Sequence, residues 1–224
     1  MACNYQGKIV TNGLVLCLDA ADKKSYPGTG TVWTDRSGRG NHGTLTNGPT
    51  FSSTNGGSIV FDGVNDIVQK SSSTINLSSG ISMEMVFKCT DITSRSQGFM
   101  QFNTGLYYID FWTGDGRLRW ETWVPATSAG GAIYSPTVLS NNIWYHAVGT
   151  FVNGFSILYI NGANVISATQ NSGSYSSSYT ANIIIGQYEG YFSGNIAIAK
   201  IYNRALTPEE IKQNFNATRG RFGI

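Results

Sequence analysis

Along the chain, short apolar runs alternate with clusters of Gly, Asn and Ser. The sharpest stretch is 143–169. Ile143 to Val152 reads as a strand, Asn153-Gly154 as a turn, Phe155 to Ile160 as the return strand, Asn161-Gly162 as a second turn, and Val165 to Thr169 as a third strand. Asn-Gly occurs five times, at 12–13, 47–48, 55–56, 153–154 and 161–162. Both residues tolerate the positive φ that two-residue hairpin turns require. The same pattern predicts strands over 14–18, 58–62, 66–69, 81–88, 98–102, 106–112, 117–124, 183–185 and 196–202. So many short strands predict an all-β fold of two packed antiparallel sheets.

One segment carries helix chemistry. Thr207-Pro208-Glu209-Glu210-Ile211 places Thr at the N-cap, Pro at the first helical position and Glu at the third, which is a capping box. Leu206 can staple to Ile211, and Phe215 follows on the same face of a short C-terminal helix of about eight residues. Residues 125–137 and 170–182 read as long loops of small and polar residues. Neither a linker nor a repeat of fixed period divides the chain, so 1–224 reads as one domain, with a core over about 13–216 and short terminal arms.

Composition agrees with the pattern. Hydrophobic residues are 41% and charged residues only 12%, about half the usual share, with 27 Gly; antiparallel sheets with many turns need this, and long surface helices do not. A net charge of +2, without a basic cluster beside stacking aromatics, excludes a nucleic-acid role. No apolar stretch approaches the ~18 residues of a membrane span. Cys3, Cys17 and Cys89 are odd in number and scattered, forming no disulfide or zinc pattern. With no apolar segment in MACNYQGKIV, they predict folding in a reducing compartment without a signal peptide.

Candidate chemistry is sparse. Gly38-Arg39-Gly40-Asn41-His42-Gly43 matches GxGxxG, but Thr44-Leu45-Thr46-Asn47-Gly48-Pro49 after it cannot be the helix a dinucleotide site needs. His42 and His146 are far apart, and His146 lies mid-strand as a structural histidine. A glycosidase needs two facing carboxylates; Glu84 and Glu121 each stand alone on their strands. Asp62-Gly63-Val64-Asn65-Asp66 offers several oxygens in a tight turn, equally suited to capping the turn and to holding calcium.

SIVFDGVNDIV (58–68), IWYHAVGTFVNGFSILYINGANV (143–165), IIIGQYEGYFSGNIAIAKIYNRALTPEEI (183–211) and WTDRSGRGNHGTL (33–45) together resemble the concanavalin A-like, laminin G-like jelly rolls. The resemblance implies two curved antiparallel sheets of six or seven strands each, recognition of glycans or proteins, and often a calcium ion at the rim, for which Asp62, with Asp66 beside it, is the matching candidate. Some relatives are glycanases with an E-x-D-x-x-E strand; Glu84-Met85-Val86-Phe87-Lys88 lacks the other acids, so the expectation is a non-catalytic module. The opening GLVLCLDA (13–20) with KSYPG (24–28) resembles stand-alone versions in tailed bacteriophages, implying a virion protein: a capsid decoration, neck or tail-fibre part assembled in bacterial cytoplasm.

The expected partners are host-surface glycans and other virion proteins, with a homo-oligomer or an extracellular location as further options. Tyr107, Trp112 and Trp123 on strands, and Tyr175 and Tyr179 in the Ser-rich loop, are the candidate sugar-stacking residues. Core packing is the competing role for the first three; the loop tyrosines resemble antibody-type binding loops in composition. A purely structural virion role and a glycoside hydrolase are the alternatives.

Overall fold

A computed structural model describes residues 9–92, 96–102, 107–111, 115–124, 129–170 and 178–224. The first half of the chain gives β1 (Leu14–Asp19), β2 (Val32–Trp33), β3 (Gly43–Thr46), β4 (Thr50–Ser52), β5 (Ser58–Asp62), β6 (Ile67–Asn76), β7 (Ile81–Cys89), β8 (Gln97–Phe102) and β9 (Tyr107–Phe111). The second gives β10 (Arg117–Val124), β11 (Ala129–Val138), β12 (Trp144–Val152), β13 (Phe155–Ile160), β14 (Ala163–Thr169), β15 (Ser178–Ile185), β16 (Gln187–Tyr188), β17 (Gly190–Tyr191), β18 (Ser193–Tyr202) and the helix α1 (Pro208–Thr218).

The strands form two antiparallel sheets of eight, ordered β14-β13-β12-β7-β18-β5-β4 with β1 also on β18, and β11-β10-β9-β8-β15-β6-β3-β2. Each sheet exceeds the expected six or seven strands. In the first, β18 is long enough for two partners on one side: Ser193–Ile196 pair with β5 and Ile198–Tyr202 with β1. The turn chemistry is as the sequence predicts. Asn153 (φ 49°) with Gly154 (φ 76°), and Asn161 (φ 50°) with Gly162 (φ 76°), close the two hairpins in left-handed conformations.

Two expected loops are in part strands. β11 covers 129–138 and β15 begins at Ser178, so residues 129–137 and 178–182 are strand where a loop is expected. Small and polar residues have weak strand preference alone, and pairing decides the outcome. β11 pairs with β10 from Ala129↔Val124 to Val138↔Arg117, and β15 lies between β6 and β8. A Thr74–Thr180 hydroxyl contact of 2.7 Å ties β15 to β6.

Alternate residues of both sheets meet in the core, among them Phe61, Met85, Phe87, Phe99, Phe102, Trp120, Phe151 and Ile183. Across the core, Trp120 packs closely on Gly149: a Cβ on Gly149 would sit 2.1 Å from the indole. Trp120 Nε1 donates to the Thr150 carbonyl at 3.1 Å, so one residue packs and bonds across the sandwich.

The outer face of the first sheet is covered as well. Thr207 and Glu210 form both bonds of the capping box, and α1 lays Ile211, Asn214, Phe215 and Thr218 on the sheet. Leu206 and Ile211 share one apolar cluster with Ile9, Val10 and Tyr202, as the staple predicts. The helix runs eleven residues, longer than expected. The described ends of the chain are not free arms: Ile9, Val10 and Phe222 are buried, and Phe222 packs on Trp144 with ring centroids 4.7 Å apart.

Candidate functional site

The loop between β2 and β3 is built around Asp35. Its Oδ1 accepts the backbone N–H groups of Cys17 and Ser37, both at 2.8 Å. Its Oδ2 accepts the Ser37 hydroxyl at 2.7 Å and the Asn41 N–H at 3.0 Å. The Asp35 N–H donates to His42 Nδ1 at 3.1 Å. Asn41 then joins the loop to two strands: its Nδ2 donates to the Val15 carbonyl at 2.7 Å, and its Oδ1 accepts the Ser73 hydroxyl at 3.0 Å. Gly38 (φ 85°) and Gly40 (φ 74°) take left-handed torsions where a Cβ would meet nothing within 4 Å, so backbone conformation selects glycine there. Arg39 stands exposed between them.

Facing this loop, β6 is irregular. Ser72 takes φ 54°, and its N–H donates to Asn182 Oδ1 at 3.2 Å. The β15 pairing shifts register between Ala181 and Ile183. A non-glycine residue in this region costs about 1–3 kcal/mol, and such bulges recur beside functional sites, where they re-aim side chains.

Between loop and strand lies a cleft of about 430 Å³, lined by Arg39, Gly40, Asn41, Lys70, residues 72–76, Val15 and Asn203. A second hollow of about 440 Å³, lined by His42, Thr44, Thr46, Gln69 and Ser71, shares Gly40 and Lys70 with it. The two abut as one polar groove, and no Asp or Glu is among the residues lining either. The Arg39 guanidinium and the Asn203 amide have no partner among the described residues. Among the described residues, Lys70 Nζ donates only to the Ser71 carbonyl, at 2.8 Å. Such a groove offers hydroxyls, amides and cations to a polar ligand.

The aromatic residues expected to stack on sugars are not brought together there. Trp123 is 41% exposed on the outer face of β10, beside Arg119 and Glu121, which pair at 3.4 Å. Tyr179 is half-buried in β15 and packs on the core from the inner face of the same sheet. Neither lines the groove. Tyr107 opens β9 opposite Phe102 and Thr122; its side chain, Trp112 and Tyr175 lie outside the described residues. The groove residues Arg39, Lys70, Asn76 and Asn203 escaped the sequence reading. The signal that the sequence offers is an arginine flanked by glycines, Gly38-Arg39-Gly40, in a loop that also carries the jelly-roll resemblance.

Asp62 and Asp66 do come together. Asp62 Oδ1 accepts the N–H groups of Val64 (2.7 Å) and Asn65 (3.3 Å), and the Asp62 N–H donates to Asp66 Oδ2 at 2.9 Å. The Val64 bond holds the Asp62 carboxyl below its ordinary pKa, while burial pushes Asp66 above its own. Calcium takes six to eight oxygens. Among the described residues no three acidic, His or Cys side chains cluster. Two carboxylates partly engaged in closing a turn therefore fit calcium only as a shallow rim site completed by carbonyls and water.

Glu84 has a different setting. It is fully buried under α1; Oε1 accepts from Lys200 Nζ at 2.7 Å and lies 3.1 Å from His146 Nε2, and Oε2 accepts from Asn214 Nδ2 at 2.7 Å. Asn214 Nδ2 also donates to the Tyr202 hydroxyl at 2.9 Å, which donates to the Val10 carbonyl at 3.1 Å. Burial alone would raise the Glu84 pKa, but Lys200 and His146 outweigh it and hold it at about 2. Glu121 faces outward on the opposite sheet, so the sandwich separates the two acids. A glycosidase pair needs ~5–10 Å with a substrate between, and this pair cannot supply it.

These sheets, with their core between them and a helix on one outer face, define a concanavalin A-like jelly roll. The family model for the concanavalin A-like lectin/glucanases superfamily (Laminin_G_3) matches residues 62–212, more than half of the chain, and the chain belongs to this family. No curated protein matches the sequence. Among solved structures, the binding domain of Paraclostridial Mosquitocidal Protein 1 is similar at TM-score 0.71 and 20% identity, over 92% of this chain and 52% of that one. The botulinum neurotoxin serotype D binding domain is similar at TM-score 0.71 and 13% identity, over 92% and 52%. A serotype D ligand binding domain in complex with N-acetylneuraminic acid gives TM-score 0.69 and 14% identity, over 92% and 51%. The chain spans about half the length of the solved structures it matches, and these likenesses concern the fold.

Proposed function

We propose that this chain is a non-catalytic carbohydrate-binding module and that the groove beside Arg39 is where it binds. The observation that carries the reading is the groove's lining: hydroxyls, amides and two cations with bonding capacity to spare, on a rigid frame of Asp35 and Asn41, and no carboxylate to act as acid or base. Sugars are bound by such convergent polar groups. Membership of a superfamily whose description names lectins, and the solved neighbour in complex with N-acetylneuraminic acid, support the same class of ligand.

The finer part of the proposal is that the module sits on a tailed-bacteriophage particle and touches host-surface glycans; the resemblance of residues 13–28 supports it. A rim calcium at Asp62 and Asp66 belongs to the same proposal. A broad glycan array with the purified chain, in calcium and again with chelator, tests the reading. Binding that Asn203→Ala weakens at least several-fold is the expected result. Loss on chelation would assign the Asp62 turn a metal; indifference would remove the metal and keep the lectin. No binding to any glycan would overturn the reading and leave the purely structural virion role.

A further inference from the structure

Arg39 differs from the other described arginines. Arg36, Arg117, Arg119, Arg204 and Arg221 each hold a carboxylate, at 3.1, 2.6, 3.4, 2.6 and 3.1 Å. Arg219 lies over the Phe215 ring at 5.7 Å. Arg39 does neither, although 13 acidic residues are available in the chain. It is displayed by a loop with a left-handed glycine on each side, and that loop is fixed from behind by the buried Asp35 carboxylate. A long cation held away from every acidic side chain among the described residues, at the wall of a groove lined by no acid, is a group with unmet charge. Lys70 stands at the junction of the two hollows and adds a second.

We propose that the groove takes a carboxylate-bearing saccharide, with Arg39 and Lys70 as the residues that select its charge; this rests on the carbohydrate reading above. A guanidinium fork matches a planar carboxylate through two parallel bonds, and a lysine adds a point charge. The two hollows, of about 430 and 440 Å³, together leave room for more than one sugar ring, because pockets for small ligands run ~300–1,000 Å³. Two cations spread among neutral groups such as Thr44, Gln69, Asn76 and Asn203 suit about one anion per ring. A densely sulfated chain would need a cluster of cations, and the groove has none.

The test is titration of the purified full chain with polygalacturonate, with the same polymer after methyl esterification, with a sialic acid polymer, with dextran and with dextran sulfate. Either carboxylated polymer is expected to bind, and comparing the two separates a uronate from a sialate source. Esterification should weaken polygalacturonate, if it binds, by about tenfold or more, the size of a lost hydrogen bond to a charged group. Arg39→Ala and Lys70→Ala should each weaken carboxylated ligands by about tenfold, and Arg39→Lys should restore part of the loss. Because Arg39 is exposed and unpaired, its variants should melt like the parent chain. Equal binding of ester and acid, or unchanged binding by Arg39→Ala, would overturn the inference while the carbohydrate reading stands. Tighter binding of dextran sulfate would reduce the groove to a general polyanion surface and overturn it too. If no saccharide binds, acidic or neutral, the carbohydrate reading itself falls and takes this inference with it.

Discussion

Glu84 is the clearest case at the residue scale of a group whose role depends on its neighbours across strands. Read along the chain, it is a lone acid in an apolar strand. In the fold, the register Val148↔Glu84↔Lys200 sets a cation beside it, and α1 adds Asn214. No periodicity within one strand announces a pairing between residues 116 positions apart. The expectation of a structural His146 agrees with its place: it is buried between strands with Nε2 3.1 Å from Glu84 Oε1, and its Nδ1 has no hydrogen-bond partner among the described residues.

Removing one member of a buried pair leaves an uncompensated charge, so Glu84→Ala should cost ~3–5 kcal/mol, read as a lower urea midpoint. Acid should act in the same direction. The Glu84 pKa is lowered from 4.5 to about 2, so its stabilisation is complete above 4.5 and disappears as pH falls through 2. That corresponds to roughly 3 kcal/mol of urea-measured stability lost between about pH 5 and pH 2. A flat profile over that window would contradict the pair. Lys200 is held above its ordinary value by the same carboxylate, against its burial, so its side of the pair fails only in strong alkali.

At the scale of elements, what the sequence makes legible is local chemistry. The capping box of α1, its staple, and the Asn-Gly hairpins of β12 to β14 need only neighbours within a few positions, and all are present. Thr207→Ala should cost about 1 kcal/mol and speed hydrogen exchange over 208–218; unchanged exchange would deny the cap its role. β11 and the start of β15 were illegible because their glycines, alanines and serines form strands only against partners that sequence does not name. The Gly149 contact belongs to the same class, since nothing local marks it as the seat of Trp120. Gly149→Ala should overpack that seat and lower stability by ~1–3 kcal/mol, while Gly38→Ala, in open space, should show only its torsional strain. Equal and small effects would mean that the sheets do not meet closely at Gly149.

For the whole molecule, the jelly roll was readable from strand density and motif order, but the groove was not. It is assembled from the 34–43 loop, the middle of β6 and Asn203, segments that only the antiparallel pairing of β3 with β6 and of β1 with β18 draws together. The aromatic residues expected to stack on sugars lie elsewhere or outside the described residues. Where a saccharide binds is therefore the deciding question. The most direct measurement is an amide chemical-shift titration of the isotope-labelled chain with a saccharide found to bind. Shifts concentrated at 38–44 and 69–76, with Asn203, are predicted. Shifts concentrated on β10 and β11 around Trp123, with the groove silent, would contradict it.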